Sequence, residues 1–393
     1  MAGTSIALIA VLEGTLRVFF PQTLVPIAVR GERLSVPDPT LGMRYVPGAI
    51  YRFRHPEYKV EYAIDDEGFR TAGPGAARPA PADLKLLLLG DSFTFGQGVP
   101  YETTWGAVAE RRLRSRGMRI EAINAGMQGM DTRSELLLLR ELGPLHRPDV
   151  VVLGFLINDL YTNIPLEPSE RARSDPADWS RVRDRVFVNA GSARTFHLLE
   201  LARLIVTSSD AIYTRLYLAA RDRGEFLRLP LADRPQRQLE VTEELLRQLA
   251  AECRKLGVPL VVISIPQQFQ VLYRASPARF GAGIEVDLYD RHFAKLGSST
   301  GFTWVPTLEA LARAKDPGRF YYRLDGHLST EGHTIVGEVL AESLAALLRR
   351  SSPTAVGPRS IRSLATTAQE FRPALDKAER RGDSVAARAL TTR

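Results

Sequence analysis

Ser92, Asp325 and His327 are of the types that acyl-transfer chemistry requires, and two further positions could complete their set. Ser92 closes the run Lys85-Leu-Leu-Leu-Leu-Gly-Asp-Ser92, and Asp325-Gly-His327 lies far downstream. A serine hydroxyl attacks an acyl carbon when an imidazole takes its proton and a carboxylate holds that imidazole in one tautomer. Hydrogen-bond donors must also face the oxyanion that develops. In this reading His327 accepts the Ser92 proton and Asp325 orients His327. The oxyanion sits among the backbone N–H groups of Ser92 and Gly129 and the side-chain amide of Asn158. Two plainer readings stand beside it: Gly90-Asp91-Ser92 as an ordinary turn with a helix cap, and His333 as an alternative base or as a packing residue at a helix start.

For these residues to meet, the chain must bring several loops to one sheet edge. The four leucines predict a strand buried on both faces, which delivers Ser92 to the carboxyl end of a sheet. Further strands are predicted at Arg119–Asn124, Pro148–Ile157, Val258–Ile265 and Gly301–Val305. Helices are expected over Trp105–Arg116, Ser134–Leu142, Glu240–Leu256, Leu288–Leu296 and Thr330–Arg349. Asp131 or Thr132 would cap the second of these helices. Alternating strand and helix implies an α/β fold with a parallel sheet and right-handed crossovers. Residues 160–238 hold no core strand and are expected to form a helical insertion, read either as a lid or as a decoration.

Residues 33–82 are rich in Pro, Gly and Tyr. They read as a small β-rich lead-in with a turn at Asp65–Gly68, closed by a linker from Thr71 to Ala82. Residues 1–32 are apolar but broken by Pro21, Gln22 and Pro26, so no run reaches the ~20 apolar residues of a spanning helix. They read as a docked helix or as a membrane-associating segment. Residues 351–393 lose apolar periodicity and read as a mobile tail. That leaves 83–350 as the main domain.

The chain has 393 residues and a formal charge of +7, with a single cysteine, Cys253. One cysteine excludes an internal disulfide and a multi-cysteine metal site. Arginine is scattered and not gathered into runs with interleaved aromatics, which argues against a nucleic-acid partner. Gly96-Gln-Gly98 is too short for a dinucleotide fingerprint, and no phosphate-binding loop is present. Neither a metal nor an organic cofactor is expected.

Taken together, the motifs resemble those of the SGNH hydrolases, the GDSL esterase/lipase superfamily. Gly90-Asp91-Ser92 is similar to its first block, Asn124-Ala-Gly-Met-Gln-Gly129 to its second, Gly154-Phe-Leu-Ile-Asn158-Asp159 to its third and Asp325-Gly-His327 to its fifth. The resemblance covers Leu84 to Arg349. It implies a three-layer α/β/α sandwich with a five-stranded flavodoxin-like sheet. The implied triad is Ser92, Asp325 and His327, with Gly129 and Asn158 completing the oxyanion hole. Members hydrolyse or transfer esters, often acetyl groups on carbohydrates, without a cofactor.

Two features depart from the usual pattern. A single residue separates Asp325 from His327, a spacing resembling that of SGNH-like polysaccharide O-acetyltransferases, and three residues separate Gly154 from Asn158. Gly68-Phe-Arg70 resembles the lead-in of membrane-associated SGNH proteins of bacterial surface-polysaccharide pathways. The expectation is a serine esterase that removes O-acyl groups from carbohydrate or another small ester. It favours a bacterial extracytoplasmic or membrane-associated setting and leaves a cytoplasmic one open. An O-acetyltransferase with the same triad and a non-catalytic glycan-binding scaffold are the alternatives.

Overall fold

Leu86, Leu87, Leu88 and Leu89 are each at most 1% exposed in the computed structural model, as a strand covered on both faces requires. The structure describes residues 2–20, 27–28, 33–73, 82–163, 196–219, 224–280 and 282–350. The strands in chain order are β1 (Ile27–Ala28), β2 (Ser35–Asp38), β3 (Gly42–Tyr45), β4 (Ile50–His55), β5 (Tyr58–Ile64), β6 (Arg70–Thr71), β7 (Leu84–Gly90), β8 (Ile120–Asn124), β9 (Val150–Leu156), β10 (Leu260–Ile265) and β11 (Thr303–Pro306). Five of them form a parallel sheet in the order β8-β7-β9-β10-β11. This is the flavodoxin-like order, in which the first core strand lies between the second and the third.

The crossover from β7 to β8 and the one from β8 to β9 run in opposite directions along the sheet. Right-handed connections therefore put their helices, Trp105–Arg114 and Thr132–His146, on opposite faces. Helix Thr330–Arg350 packs on the first of these and helix Asp233–Leu256 on the second, which completes the α/β/α layering. Three helices run four or more residues beyond their expected bounds, Leu288–Thr300 among them. Asp233–Leu256 begins ahead of Glu240 because Pro235 stands in its first turn, where proline is tolerated, and its buried face continues through Gln238 and Leu239. Thr132–His146 runs on through Gly143 and Pro144 to the buried His146.

The lead-in is fused to this sheet. Strands β6, β5, β4 and β1 add antiparallel to the β8 edge, giving nine strands, while β2 and β3 pair separately. Arg70 makes the seam, opposite Asn124. It is 3% exposed, donates to the carbonyls of Thr71 at 2.6 Å and Ala63 at 3.4 Å, and lies over the rings of Tyr62, Phe95 and Tyr101. Burial lowers its pKa to about 10. The turn before it forms as expected, with the Asp65 carboxylate accepting from the Glu67 and Phe69 N–H groups.

Helix Ala2–Phe19 meets helix His197–Ser208 through Glu13, whose carboxylate accepts from the N–H groups of His197 and Leu198, both at 2.9 Å. Leu8, Val11, Val18 and Phe19 of the first helix are exposed. Among the described residues, no helix is long and apolar enough to cross a membrane. Within the expected insertion, helices His197–Ser208 and Asp210–Ala219 are formed, and Tyr217 stacks on Phe269 at 4.1 Å. The charged stretch 167–185, most of the linker and the C-terminal tail lie outside the described residues.

The ends of β7 and β9 and the loop after β8 meet behind Ser92 at the fully buried Thr94. A Cβ on Gly126 would stand 2.6 Å from the Phe95 nitrogen, and one on Gly154 2.3 Å from Thr94 Oγ1. Gly126→Ala and Gly154→Ala are each expected to cost about 1–3 kcal/mol of stability in urea unfolding. Gly126→Ala should cost more, because its neighbour is backbone and cannot rotate away.

Candidate active site

The turn after β7 is built to aim Ser92. Asp91 caps the short helix Ser92–Phe95, its Oδ1 accepting from Phe93 N–H at 2.9 Å. A bond from Met127 N–H to the Gly90 carbonyl, 2.9 Å, ties the loop after β8 to the same strand end. Helix Thr132–His146 starts at Asp131, which accepts from Ser134 N–H at 2.9 Å, so Asp131 rather than Thr132 is the cap.

Ser92 Oγ lies 2.7 Å from His327 Nε2, and His327 Nδ1 lies 2.8 Å from Asp325 Oδ2. The structure thus joins the three expected residues in one hydrogen-bonded line. Burial disfavours the His327 cation, but the charge of Asp325 and the bond to it prevail and raise its pKa above the ordinary imidazole value. Burial likewise pushes Asp325 up, and His327 more than offsets this, leaving the carboxyl below its usual range. The Phe93 ring packs on the imidazole at 4.7 Å.

Gly129 lies in the loop after β8 with φ of +77° and no atom within 4 Å of where a Cβ would stand. Asn158 follows β9, at the strand end beside that of β7. Its side chain hydrogen-bonds to Asp91, while its buried Oδ1 has no partner. An amide has two N–H donors, so one remains for a ligand. β7 and β9 flank the point where strand order reverses, which is where open α/β sheets bind ligands.

Three buried carboxyls lie behind these residues. Burial raises the pKa of Asp91, and burial together with nearby carboxylates pushes Glu135 and Asp159 well above the ordinary range. Asp159 anchors the neighbouring loop by accepting from Thr132 Oγ1 at 3.2 Å. His333 is fully buried; its Nδ1 accepts from Trp105 N–H at 3.2 Å and burial lowers its pKa to about 3. It packs at a helix start and makes no bond to Ser92. Among the described residues no group of His, Cys, Asp and Glu is arranged to hold a metal ion.

Three participants escape the sequence reading. Glu57 and Tyr58 come from the hairpin of β4 and β5, and Gln97 comes from just beyond the serine helix. The Tyr58 hydroxyl donates to Asp325 Oδ2 at 3.1 Å, and Gln97 Nε2 donates to Asp325 Oδ1 at 3.3 Å. The only signal in the sequence is the unusual density of tyrosines in the lead-in. Arg33, Tyr51, Phe53, Tyr62, Gln97 and Gln128 line a cleft of about 340 Å³ beside this group.

Comparison with known proteins gives the family. The family model described as GDSL-like Lipase/Acylhydrolase matches residues 88–335, a span that takes in Ser92, Gly129, Asn158, Asp325 and His327 and begins after the hairpin. An arylesterase from Vibrio mimicus is 33% identical over 84 residues, 21% of this chain and 42% of its own length. The chain therefore spans less than half of that curated relative. Two solved structures are also similar. A lipase/acylhydrolase from Enterococcus faecalis is 15% identical, with 70% of this chain and 100% of that one covered at a TM-score of 0.39. An acetylxylan esterase from Geobacillus stearothermophilus, solved as a catalytic mutant, is 17% identical, with 67% and 94% covered at a TM-score of 0.38.

The raised His327 pKa sets a pH dependence. A base must be neutral to accept a proton, so kcat/KM for an ester should rise with pH along a limb centred above about 6.5. Asp325→Asn should lower kcat about 10⁴-fold. It should also move the residual limb to lower pH, because the raising influence is gone and burial remains. A pH profile of para-nitrophenyl acetate hydrolysis measures both.

Proposed function

Because the chain belongs to the GDSL-like lipase/acylhydrolase family, we propose that it is a serine esterase that removes O-acyl groups, foremost acetyl, from carbohydrate. The observation that carries the reading is the unbroken line Ser92–His327–Asp325, with contacts of 2.7 and 2.8 Å.

In this mechanism Ser92 Oγ attacks the acyl carbon while His327 Nε2 takes its proton. Asp325 keeps the other imidazole proton on Nδ1 and stabilises the cation that forms. The tetrahedral oxyanion is held by the N–H groups of Ser92 and Gly129 and by the free donor of Asn158. His327 then returns the proton to the departing sugar oxygen. Water, deprotonated by the same imidazole, releases the acid from Ser92.

The carbohydrate assignment is supported by the chemistry of the neighbouring cleft. The half-buried ring of Tyr51 lines it, and aromatic rings stack on the C–H faces of sugars, whereas Tyr62 behind it is buried. Gln97, Gln128 and Arg33 supply the donors and acceptors that hydroxyl groups need. The single residue between Asp325 and His327 supports a second reading, in which a sugar hydroxyl replaces water and the protein is an O-acyltransferase. We also propose that helix Ala2–Phe19 lies against a membrane surface, since Leu8, Ile9, Val11, Val18 and Phe19 are 52–71% exposed.

Each reading has its measurement. With para-nitrophenyl acetate the protein should show a burst and gain one acetyl mass, both absent from Ser92→Ala. Asn158→Ala should cost about 10²- to 10³-fold in kcat. Hydrolysis at the same background rate by protein and Ser92→Ala would overturn the esterase. Acetylated oligosaccharide should be cleaved with a lower KM than para-nitrophenyl acetate, and turnover that quickens only when a free oligosaccharide is added would favour the transferase. The intact chain should float with anionic lipid vesicles, and Val18→Asp/Phe19→Asp should release it; equal recovery of both in the soluble fraction would exclude the membrane contact.

A further inference from the structure

Asp325 and His327 sit on a loop with little regular structure of its own. An isolated bridge, Tyr321 to Leu328, closes it. Inside, Tyr322 N–H donates to the His327 carbonyl and Gly326 N–H to the Tyr322 carbonyl, both at 2.8 Å. Such a loop needs outside partners to hold a carboxylate in one orientation, and the tip of the β4–β5 hairpin supplies them.

The Glu57 carboxylate accepts three consecutive backbone N–H groups of this loop: Arg323 at 2.6 Å, Leu324 at 2.9 Å and Asp325 at 3.0 Å. Beside it, Tyr58 donates to Asp325 Oδ2, the same oxygen that faces His327 Nδ1. The Tyr58 ring packs between His55 at 4.8 Å and Tyr322 at 4.7 Å, and the Tyr322 hydroxyl donates to the Gly98 carbonyl at 3.0 Å. The hairpin tip thus grips the acid loop, which in turn is fastened to the segment following Ser92. These contacts bridge more than 260 positions of sequence.

We propose that Glu57 and Tyr58 are positioning residues of the reaction: Glu57 sets the backbone that carries Asp325, and Tyr58 turns the carboxylate so that Oδ2 meets His327. The proposal rests on the reading of Ser92, His327 and Asp325 as the working triad. It makes the lead-in hairpin, which precedes the family-matched span, part of the catalytic apparatus. A hydrogen bond to a charged group is commonly worth a ten- to hundredfold change in an equilibrium, which sets the scale of the expected effects.

Several titratable groups face the Asp325–His327 pair. The hairpin contributes His55, Glu57, Tyr58 and Tyr62; Tyr322 comes from the acid loop itself; Asp91 and His333 approach His327. Of these, only Tyr58 donates to the oxygen that His327 uses. Removing its hydroxyl concentrates negative charge on Asp325 Oδ2 and strengthens its hold on the imidazolium.

The test is para-nitrophenyl acetate hydrolysis by the full chain across pH 5–9, with thermal melts run alongside. Tyr58→Phe should lower kcat roughly tenfold with KM little changed, and should move the His327 limb to higher pH. Glu57→Ala should lower kcat roughly a hundredfold, and Glu57→Gln, which keeps a carbonyl acceptor, should recover much of the loss. In an Asp325→Asn background both effects should largely vanish, as coupling through one residue requires. If Ser92→Ala is inactive and Asp325→Asn strongly impaired while Tyr58→Phe and Glu57→Ala keep the kcat and pH profile of the unaltered protein, the positioning role is overturned and the triad stands. If Ser92→Ala and Asp325→Asn remain active, the triad itself is overturned. Should Glu57→Ala fail to fold, the kcat and pH limb of Tyr58→Phe decide the matter alone, and losses tracking melting temperature without a pH shift count against the proposal.

Discussion

The 2.7 Å contact between Ser92 Oγ and His327 Nε2 joins two positions 235 residues apart, and the surrounding architecture determines whether it can persist. One side of the contact is rigid by construction, since Ser92 leaves a strand buried on both faces and its turn is capped by Asp91. The other side is a short loop. Without external anchoring, the imidazole would sample orientations in which its lone pair misses the hydroxyl, and a misplacement of about 1 Å can cost a hundredfold in rate. The many bonds converging on residues 322–328 are best understood as the answer to that requirement.

Close packing on the rigid side has an electrostatic counterpart. Thr94 fills the space left by side-chain-free Gly126 and Gly154, which draws the ends of β7, β8 and β9 close together. The same closeness buries Asp91, Glu135 and Asp159, and burial, with nearby carboxylates in the case of Glu135 and Asp159, raises their pKa values. The raised pKa values weaken the tendency of these acids to carry charge, and charge there would oppose a developing oxyanion. Asp325, by contrast, is held ionised by its partner histidine. Burial and pairing together therefore place negative charge on the side of His327 where it helps, and suppress it on the side where it would hinder.

The antiparallel extension changes what the edge of the sheet is for. A flavodoxin-like core leaves β8 as an edge strand, an exposed row of backbone donors and acceptors. Here β6 covers part of that edge and Arg70 seals the seam under three aromatic rings. Beyond it, β5 and β4 carry Tyr58, Tyr62 and the hairpin tip toward the acid loop, and Tyr62 accepts from Gly98 N–H at 2.9 Å. Protection of a sheet edge and construction of the site are served by one segment.

The sequence by itself determined the parallel core and singled out Ser92, Asp325 and His327, which the structure brings into hydrogen-bonding contact. Buried strands such as Leu86–Leu89 and Val150–Leu156 announce themselves as continuous apolar runs, and Ser92 and Asn158 follow directly at their ends, so local pattern carries both fold and chemistry. Helix ends were less legible, because Gly143 and Pro144 read as breakers until the burial of His146 outweighs their propensity. Only the tertiary structure decided that the lead-in joins the main sheet, that His333 is buried behind the site, and that Glu57, Tyr58 and Gln97 serve Asp325. A carboxylate at a hairpin tip and a tyrosine in an alternating strand have the same local pattern whether they face water or a catalytic loop. What distinguishes them is a contact across more than 260 residues, and it comes into being only when the two ends of the chain are folded onto one sheet.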